Sequence, residues 1–445
     1  MRRREALGTG TDSVVRPEAM LRRSALAALL AASCTSAEPS RPPEADAPVP
    51  TIDLPEPAVV ATERVPEPNA ARTPTPTPTP TPIAAPPEPL LPPPASRECR
   101  SFLEYCGRAT ATADERAVVD LMLGAVGESA CDPGWAKLQK LDALDLGMKG
   151  VKTIAPLCGL DSLTDLQIGF NDIRDIGVVG TLQNLRKLKM YGARVRSLDA
   201  LAKLERLVEL DATSRHIRDI GALAKLERLE DVHLQYAQIT DLTALAKLPK
   251  LRVLWLGNNR DLVDLEPVAG LGTLEELRID GPTRVTTLAA IAPLVGLKML
   301  SVHSSAPLKD VDAIAGMKDL RDLTLVLAPG TKVPPLADLT KLHLLHIEHS
   351  HLVDLSPLEN ATSIDELYLG DNRIVSLEPL ATLEKLTILR IEENRIESLA
   401  PLAGLEHLIT LQVGKNGRLR KDEAHCPSVG VALVAGYCKK LRGIE

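Results

Sequence analysis

Aromatic side chains are nearly missing from this sequence: Phe, Tyr and Trp make up 2% of its 445 residues. An ordinary globular core of this size uses such rings as bulky filling. One large mixed core is therefore excluded. Also missing is any apolar run near the roughly twenty residues that a membrane-crossing helix needs. Positive charge is not in excess either. The formal net charge is −7, which argues against a general nucleic-acid role. There is no Gly-rich phosphate loop, no HExxH and no nucleophile elbow. Cysteine is absent from 159–425. What is plentiful is leucine. A core of Leu, Ile and Val points to many small, similar layers, and 445 residues suffice for two or three ordinary domains or one long solenoid.

From Leu138 onward the sequence repeats. LQKLDALDLGMKGVKTI, LDSLTDLQIGFNDIRDI, LERLEDVHLQYAQITDL and LEKLTILRIEENRIESL all fit L-x-x-L-x-x-L-x-L-x-x-N-x-I-x-x-I, the leucine-rich repeat pattern. Thirteen L-x-L pairs begin at Leu144, Leu166, Leu188, Leu210, Val232, Leu254, Leu277, Leu300, Leu323, Leu345, Leu367, Leu389 and Leu411. Steps are 22 residues, except three of 23 after Leu254. Alternation within a pair predicts a short strand with one face inside. Between strands the apolar spacing is three, as in Ile154, Leu157, Leu160 and Leu163, which fits a 3₁₀-type return. Stacked coils would give a parallel sheet of roughly 60 Å, at about 4.8 Å per strand. Asn171, Asn259, Asn372, Asn394 and Asn416 stand where a buried side chain can bond neighbouring backbone. Ala193, Ala237, Pro282 and Ala328 cannot do so, which predicts less regular turns in the middle. The 23-residue steps predict a bulge or a change of curvature there. The 22-residue period resembles the internalin-like class of bacterial leucine-rich repeats over about 138–420. That resemblance implies a curved, right-handed solenoid that binds partners, usually proteins, on a concave parallel sheet.

Ahead of the repeats, Met20 to Cys34 reads as an export signal, with Arg22 and Arg23 before an apolar run from Ser24 to Ser33. It ends in Leu30-Ala31-Ala32-Ser33-Cys34, which resembles the bacterial lipobox, with Ala31 where the family usually has Leu. The resemblance implies lipid modification of Cys34. Residues 1–19 do not fit a signal, so Met20 reads as the true start. Residues 39–97 hold 20 of the 35 prolines, including TPTPTPTPTP. Such a stretch is expected to be an extended, disordered stalk.

Solenoid ends expose an apolar layer and need caps. Residues 112–129 read as an amphipathic helix with a Thr112/Glu115 capping box. A second short helix is expected after Asp132-Pro133, carrying Trp135, and VGVALVAGY is the apolar element of the C-terminal cap. With Cys34 lipidated, Cys99, Cys106, Cys131, Cys158, Cys426 and Cys438 remain, and export permits disulfides. We expect Cys99–Cys106, Cys131–Cys158 and Cys426–Cys438 among fifteen arrangements. The last is favoured because no other cysteine is near it in sequence. The alternative is zinc in a Cys cluster.

Register also names the candidate contact residues. The five aromatics between Leu144 and Val413 are Phe170, Tyr191, Tyr236, Trp255 and Tyr368, and all fall outside the Leu core. Tyr191, Tyr236, Trp255 and Tyr368 with His233, Arg278, His346 and Arg390 make a candidate partner surface, since Tyr, Trp and Arg are frequent interface anchors. The bland reading is that narrow coils exclude bulky rings. Around these rings, the residue before each L-x-L pair, the one between and the two after hold thirteen acids and five bases, a difference of −8. That favours a basic partner over nucleic acid, or simply keeps the face soluble. KLHLLHIEHSHL gathers His343, His346, His349 and His351. Register scatters them over several faces, so at most His346, Glu348 and His349 converge.

The domain plan is thus a signal at 1–34, a stalk at 35–98, a helical cap at 99–137, thirteen repeats at 138–419 and a cap at 420–445. The expected function is an exported, lipid-anchored envelope protein that binds a protein partner. It would need no cofactor, and its membrane contact would be the N-terminal lipid. The alternatives are a structural envelope protein, or a metal protein or enzyme using the His343–His351 region.

Overall fold

The computed structural model describes residues 100–107 and 111–443. The expected signal, Cys34, the stalk and Cys99 lie outside the described residues. Among the described residues, thirteen strands pair in chain order in one parallel sheet. They are β1 (Ala143–Asp145), β2 (Asp165–Gln167), β3 (Lys187–Lys189), β4 (Glu209–Asp211), β5 (Asp231–His233), β6 (Val253–Trp255) and β7 (Glu276–Ile279). There follow β8 (Met299–His303), β9 (Asp322–Val326), β10 (Leu344–His346), β11 (Glu366–Tyr368), β12 (Ile388–Arg390) and β13 (Thr410–Gln412).

Ten of the thirteen strands are three residues long and centre on the first Leu or Val of an L-x-L pair, and β7, β8 and β9 extend past it. Leu166, Leu188, Leu210, Val232 and Leu254 are all fully buried. So are the return residues at spacing three. Leu157 N donates to Ile154 O, and Leu163 N to Leu160 O, both at 3.0 Å. Each fully buried Leu contributes about 1.5–3 kcal/mol, and a coil contains several, so stacking rather than local propensity holds the array together.

The asparagines work as expected. Asn372 Nδ2 donates to Ile347 O at 2.6 Å and Leu369 O at 3.0 Å, while its Oδ1 accepts from Leu352 N at 2.9 Å. Asn171, Asn259, Asn394 and Asn416 repeat this one coil or more away. Where Asn is missing, buried serines take over part of the task. Ser214 Oγ donates to Ala193 O at 2.7 Å, and Ser350 Oγ accepts from Leu327 N at 3.0 Å.

Two departures have local causes. The 23-residue steps do not make a bulge in the strands. The extra residue goes with longer strands, and β8 and β9 pair residue for residue through His303 and Val326. An additional parallel bridge joins Thr287 to Lys309. The second departure is the connection from β9 to β10, the one among the described residues without a 3₁₀ return. It carries Pro334-Pro335. One proline fits the second position of a return, as at Pro156 and Pro357. A second in succession forces the residue before it into extended backbone, and Leu336 N then donates to Pro357 O of the next coil.

Among the described residues the N-terminal cap has three helices: α1 (Phe102–Cys106), α2 (Ala113–Ala125) and α3 (Cys131–Leu138). Both halves of the Thr112/Glu115 capping box form on α2. A second box, Ser101/Glu104, starts α1, a helix the sequence reading did not anticipate. The disulfide pairing differs from expectation. Cys106 bonds Cys131, so neither Cys99–Cys106 nor Cys131–Cys158 forms, although Cys158 is itself disulfide-bonded. The reason is helix geometry. Phe102 and Cys106 are four apart on α1, and Cys131 and Trp135 four apart on α3, so each pair shares a helix face. Phe102 stacks on Trp135 with centroids 5.2 Å apart, and one turn further along the antiparallel contact Cys106 meets Cys131. Cys426–Cys438 forms as expected. It ties the last loop to α4 (Ala432–Arg442), the helix that contains most of VGVALVAGY.

Candidate binding face

Pleating sends the residue between each buried pair out of the core. Because the strands are parallel and in register, these residues form a row across the sheet. His233, Trp255 and Arg278 are direct register neighbours on β5, β6 and β7. The imidazole stacks on the indole with centroids 3.7 Å apart and planes at 5°. Arg278 lies over the same indole at 4.5 Å. Indole Nε1 and Arg278 Nε both donate to Glu276 Oε1 at 2.8 Å. One carboxylate thus fixes both ring and guanidinium.

Burial pushes the His233 pKa down, but Asp211 and Asp231 outweigh it and lift it to about 9. His233 Nε2 lies 2.9 Å from Asp231 Oδ1 and Nδ1 lies 3.8 Å from Asp211 Oδ2. The closer contact is an ion contact without hydrogen-bond alignment. At neutral pH the indole therefore has a cation on each neighbouring strand, an arrangement that ring quadrupoles favour.

The same order recurs five strands on. His346, Tyr368 and Arg390 are register neighbours on β10, β11 and β12. His346 stacks on Tyr368 at 5.5 Å and 25°, and Arg390 lies over that ring at 5.2 Å. Tyr368 Oη donates to Glu366 Oε2 at 3.2 Å. His346 Nε2 is 2.8 Å from Glu348 Oε2, and this bond holds the Glu348 carboxyl below the usual range. Burial, then the Glu366 charge, push the Tyr368 phenol up. Arg390 Nε and Glu392 Oε2 are enclosed without hydrogen-bond partners.

Tyr191 and Tyr236 join neither triplet. Tyr191 meets Phe170 edge to face at 4.9 Å. Each ring lies over a glycine beside the other: a Cβ on Gly169 would sit 2.8 Å from Tyr191, and one on Gly192 2.8 Å from Phe170. Tyr236, three residues past β5, is 44% exposed with φ 58°. The histidine-rich stretch divides as its register predicts. His343 lies 3.4 Å from Asp322, His346 pairs with Glu348, and His349 with Asp371 at 2.7 Å. Among the described residues, no three His, Cys, Asp or Glu side chains are grouped to hold a metal ion.

Residues 362–404 match the family pattern described as leucine-rich repeats in two copies. The fold is that of the leucine-rich repeat solenoids. An internalin from Listeria monocytogenes superposes with a TM-score of 0.60 and 22% identity, covering 69% of this chain and 94% of that one. A leucine-rich repeat protein from Leptospira interrogans gives 0.49 and 19%, covering 63% and 86%. Among curated proteins no sequence matches significantly. Reading the leucine-rich repeats as a row of thirteen outward residues picked out all six members of the triplets. Glu276 and Glu366 stand among the thirteen acids of the face, but that reading did not assign them to the rings, and it missed that the six residues recur as His–aromatic–Arg in three consecutive coils. The signal was present: the order His, aromatic, Arg at one repeat position, twice.

Proposed function

We propose that this is a non-enzymatic binding protein whose sheet face takes a protein partner through the two triplets. The observation that carries the reading is their duplication: among the described residues, an aromatic ring held between His and Arg appears twice on one acidic face. Rings fixed by neighbours lose little freedom on binding, and Trp, Tyr and Arg dominate interface energetics. Leucine-rich repeat folds generally serve as interaction scaffolds, which agrees with this. The net −8 of the lanes across all thirteen coils favours a partner with a basic surface. Tyr191 and Tyr236 extend the contact surface toward β3 and β5. We further infer export and a lipid at Cys34, with 35–98 as a spacer, so that the protein acts at a cell envelope. Metabolic labelling with a fatty acid tests that part; labelling lost in Cys34→Ala supports it, and no labelling of the parent overturns it.

The face is tested by partner capture with the full chain. Replacing Tyr236, Trp255 and Arg278 together by Ala should weaken the captured partner at least a hundredfold. Unchanged affinity would remove the sheet face from the account.

A further inference from the structure

The side of the first four coils carries a charge pattern opposite to that of the sheet face. Eight residues after the first Leu of the L-x-L pair stand Lys152, Arg174, Arg196 and Arg218, in four consecutive coils. All four are exposed. The last four coils have Val353, Val375, Glu397 and Leu419 at that position. Strand spacing sets the row at about 4.8 Å per step. Arg194 and Arg215, also exposed, widen it from a line into a patch.

Little neutralises this patch. Asp172 pairs with Arg194 at 2.9 Å and Asp114 with Lys152 at 3.3 Å. Asp175 and Asp219 turn to the backbone N–H groups of Gly177 and Gly221 instead. Arg218 Nε donates to the neutral Gln238. Among the described residues Arg174, Arg196 and Arg215 have no ion-pair partner. Burial, then the surrounding arginines, depress the pKa of His216, which fits a positive local field.

An apolar edge adjoins the row. Met148 and Phe170 lie three residues past β1 and β2 and four residues before Lys152 and Arg174, and are 75% and 61% exposed. Both have left-handed backbone, φ 58° and 52°, where Gly, Asn or Asp is the low-cost choice. Gly192 fills the same position one coil on. Most coils share this left-handed turn, with residues as varied as Tyr236, Asp371 and Lys415, so the distinguishing feature here is two large apolar side chains held out in water beside a band of cations.

We infer that this flank docks on the headgroup layer of an anionic membrane. Guanidinium groups match phosphate, and bulky apolar side chains enter the layer beneath the headgroups. A linear polyanion would use the cations and leave Met148 and Phe170 idle. A patch in two dimensions also suits a surface better than a strand. Since the whole chain is net negative, attraction must be local, within a screening length of about 8–10 Å. The inference goes beyond the partner face and stands whether or not Cys34 is acylated.

Vesicle cosedimentation tests it. The full chain carrying Cys34→Ala excludes any lipid anchor. It should partition into phosphatidylglycerol-containing vesicles at least tenfold better than into phosphatidylcholine vesicles, and less well in high salt. Each basic side chain near such a surface is worth about fivefold. Arg174→Glu, Arg196→Glu and Arg218→Glu together should therefore remove at least tenfold of the binding, and Phe170→Ser with Met148→Ser severalfold. Triple Arg→Gln replacement gives the same direction if charge reversal perturbs folding. Equal binding to both vesicle types, or variants that bind like the parent, would overturn the inference. So would binding to soluble polyphosphate, or to an acidic protein, through these arginines with no partition into vesicles. Loss of partner affinity in the Trp255 variant, with vesicle binding intact, separates the two surfaces.

Discussion

The two His–aromatic–Arg triplets use the same residue order on the same face, yet their surroundings differ. At β5–β7 the histidine lies between Asp211 and Asp231 and is lifted to about 9, and Arg278 Nε is bonded to Glu276. At β10–β12 His346 has Glu348, and Arg390 Nε has no partner. The repeat thus fixes where an outward side chain stands. The residue just before the strand pair, the residue just past it and the outward residue of the neighbouring strand decide its charge and how firmly it is held. The first triplet is built as a rigid charged tile and the second is looser.

The largest expected difference is in pH dependence. His233 has a folded pKa above its unfolded value near 6.5, so its stabilisation is complete below pH 6.5 and is lost as pH rises toward 9. With its side chain 17% exposed, this amounts to at most about 3 kcal/mol. Urea unfolding at pH 6.5 and pH 9 should show the loss in the parent and little of it in His233→Gln; equal losses in both would mean that the two aspartates do not act on His233 as described. Asp211 and Glu348 have the opposite sign, since their pKa values are lowered. Both triplets therefore contribute stability above the ordinary carboxylate range that disappears as the solution is acidified through it.

Smaller effects follow for the rings and the arginines. Trp255→Ala takes a ring from between two cations and frees Glu276 of a donor, and should cost about 2 kcal/mol, less than the 3–5 of a fully buried Trp. Tyr368→Ala should cost about 1 kcal/mol. Denaturant midpoints decide between them, and a larger cost at Tyr368 would reverse the ranking of the two tiles. Arg278→Ala should cost about 1 kcal/mol and Arg390→Ala less, by the cation–ring contact alone.

Much of the fold was legible in the sequence because a solenoid restates its rule in every coil. Leu144, Leu166 and their equivalents mark strands, spacing of three marks 3₁₀ returns, and Asn372 and its counterparts mark the turn. Features outside the rule were not legible. Pro334-Pro335 breaks a return because two prolines in succession change backbone geometry, an effect invisible to apolar spacing. Cys106–Cys131 depends on how α1 packs on α3, which chain distance does not encode, although the Phe102/Cys106 and Cys131/Trp135 spacings match once the helices are known. The face was half legible. Its residues follow from register, whereas Asp231 acting on His233 depends on side-chain depth. The basic flank lies past the Asn turn, where Lys152, Arg174, Arg196 and Arg218 follow no apolar rule of the repeat and so stand out only once the coils are stacked.

The proposed partner surface is the sheet face, with Trp255 and Tyr368 as its two anchors. Its most direct test is the affinity of the partner recovered by the full chain, measured by calorimetry for the parent and for the double variant Trp255→Ala, Tyr368→Ala. Two interface anchors of about 2 kcal/mol each predict a loss of several hundredfold, with each single variant losing about thirtyfold. Affinity unchanged in the double variant would contradict the central claim.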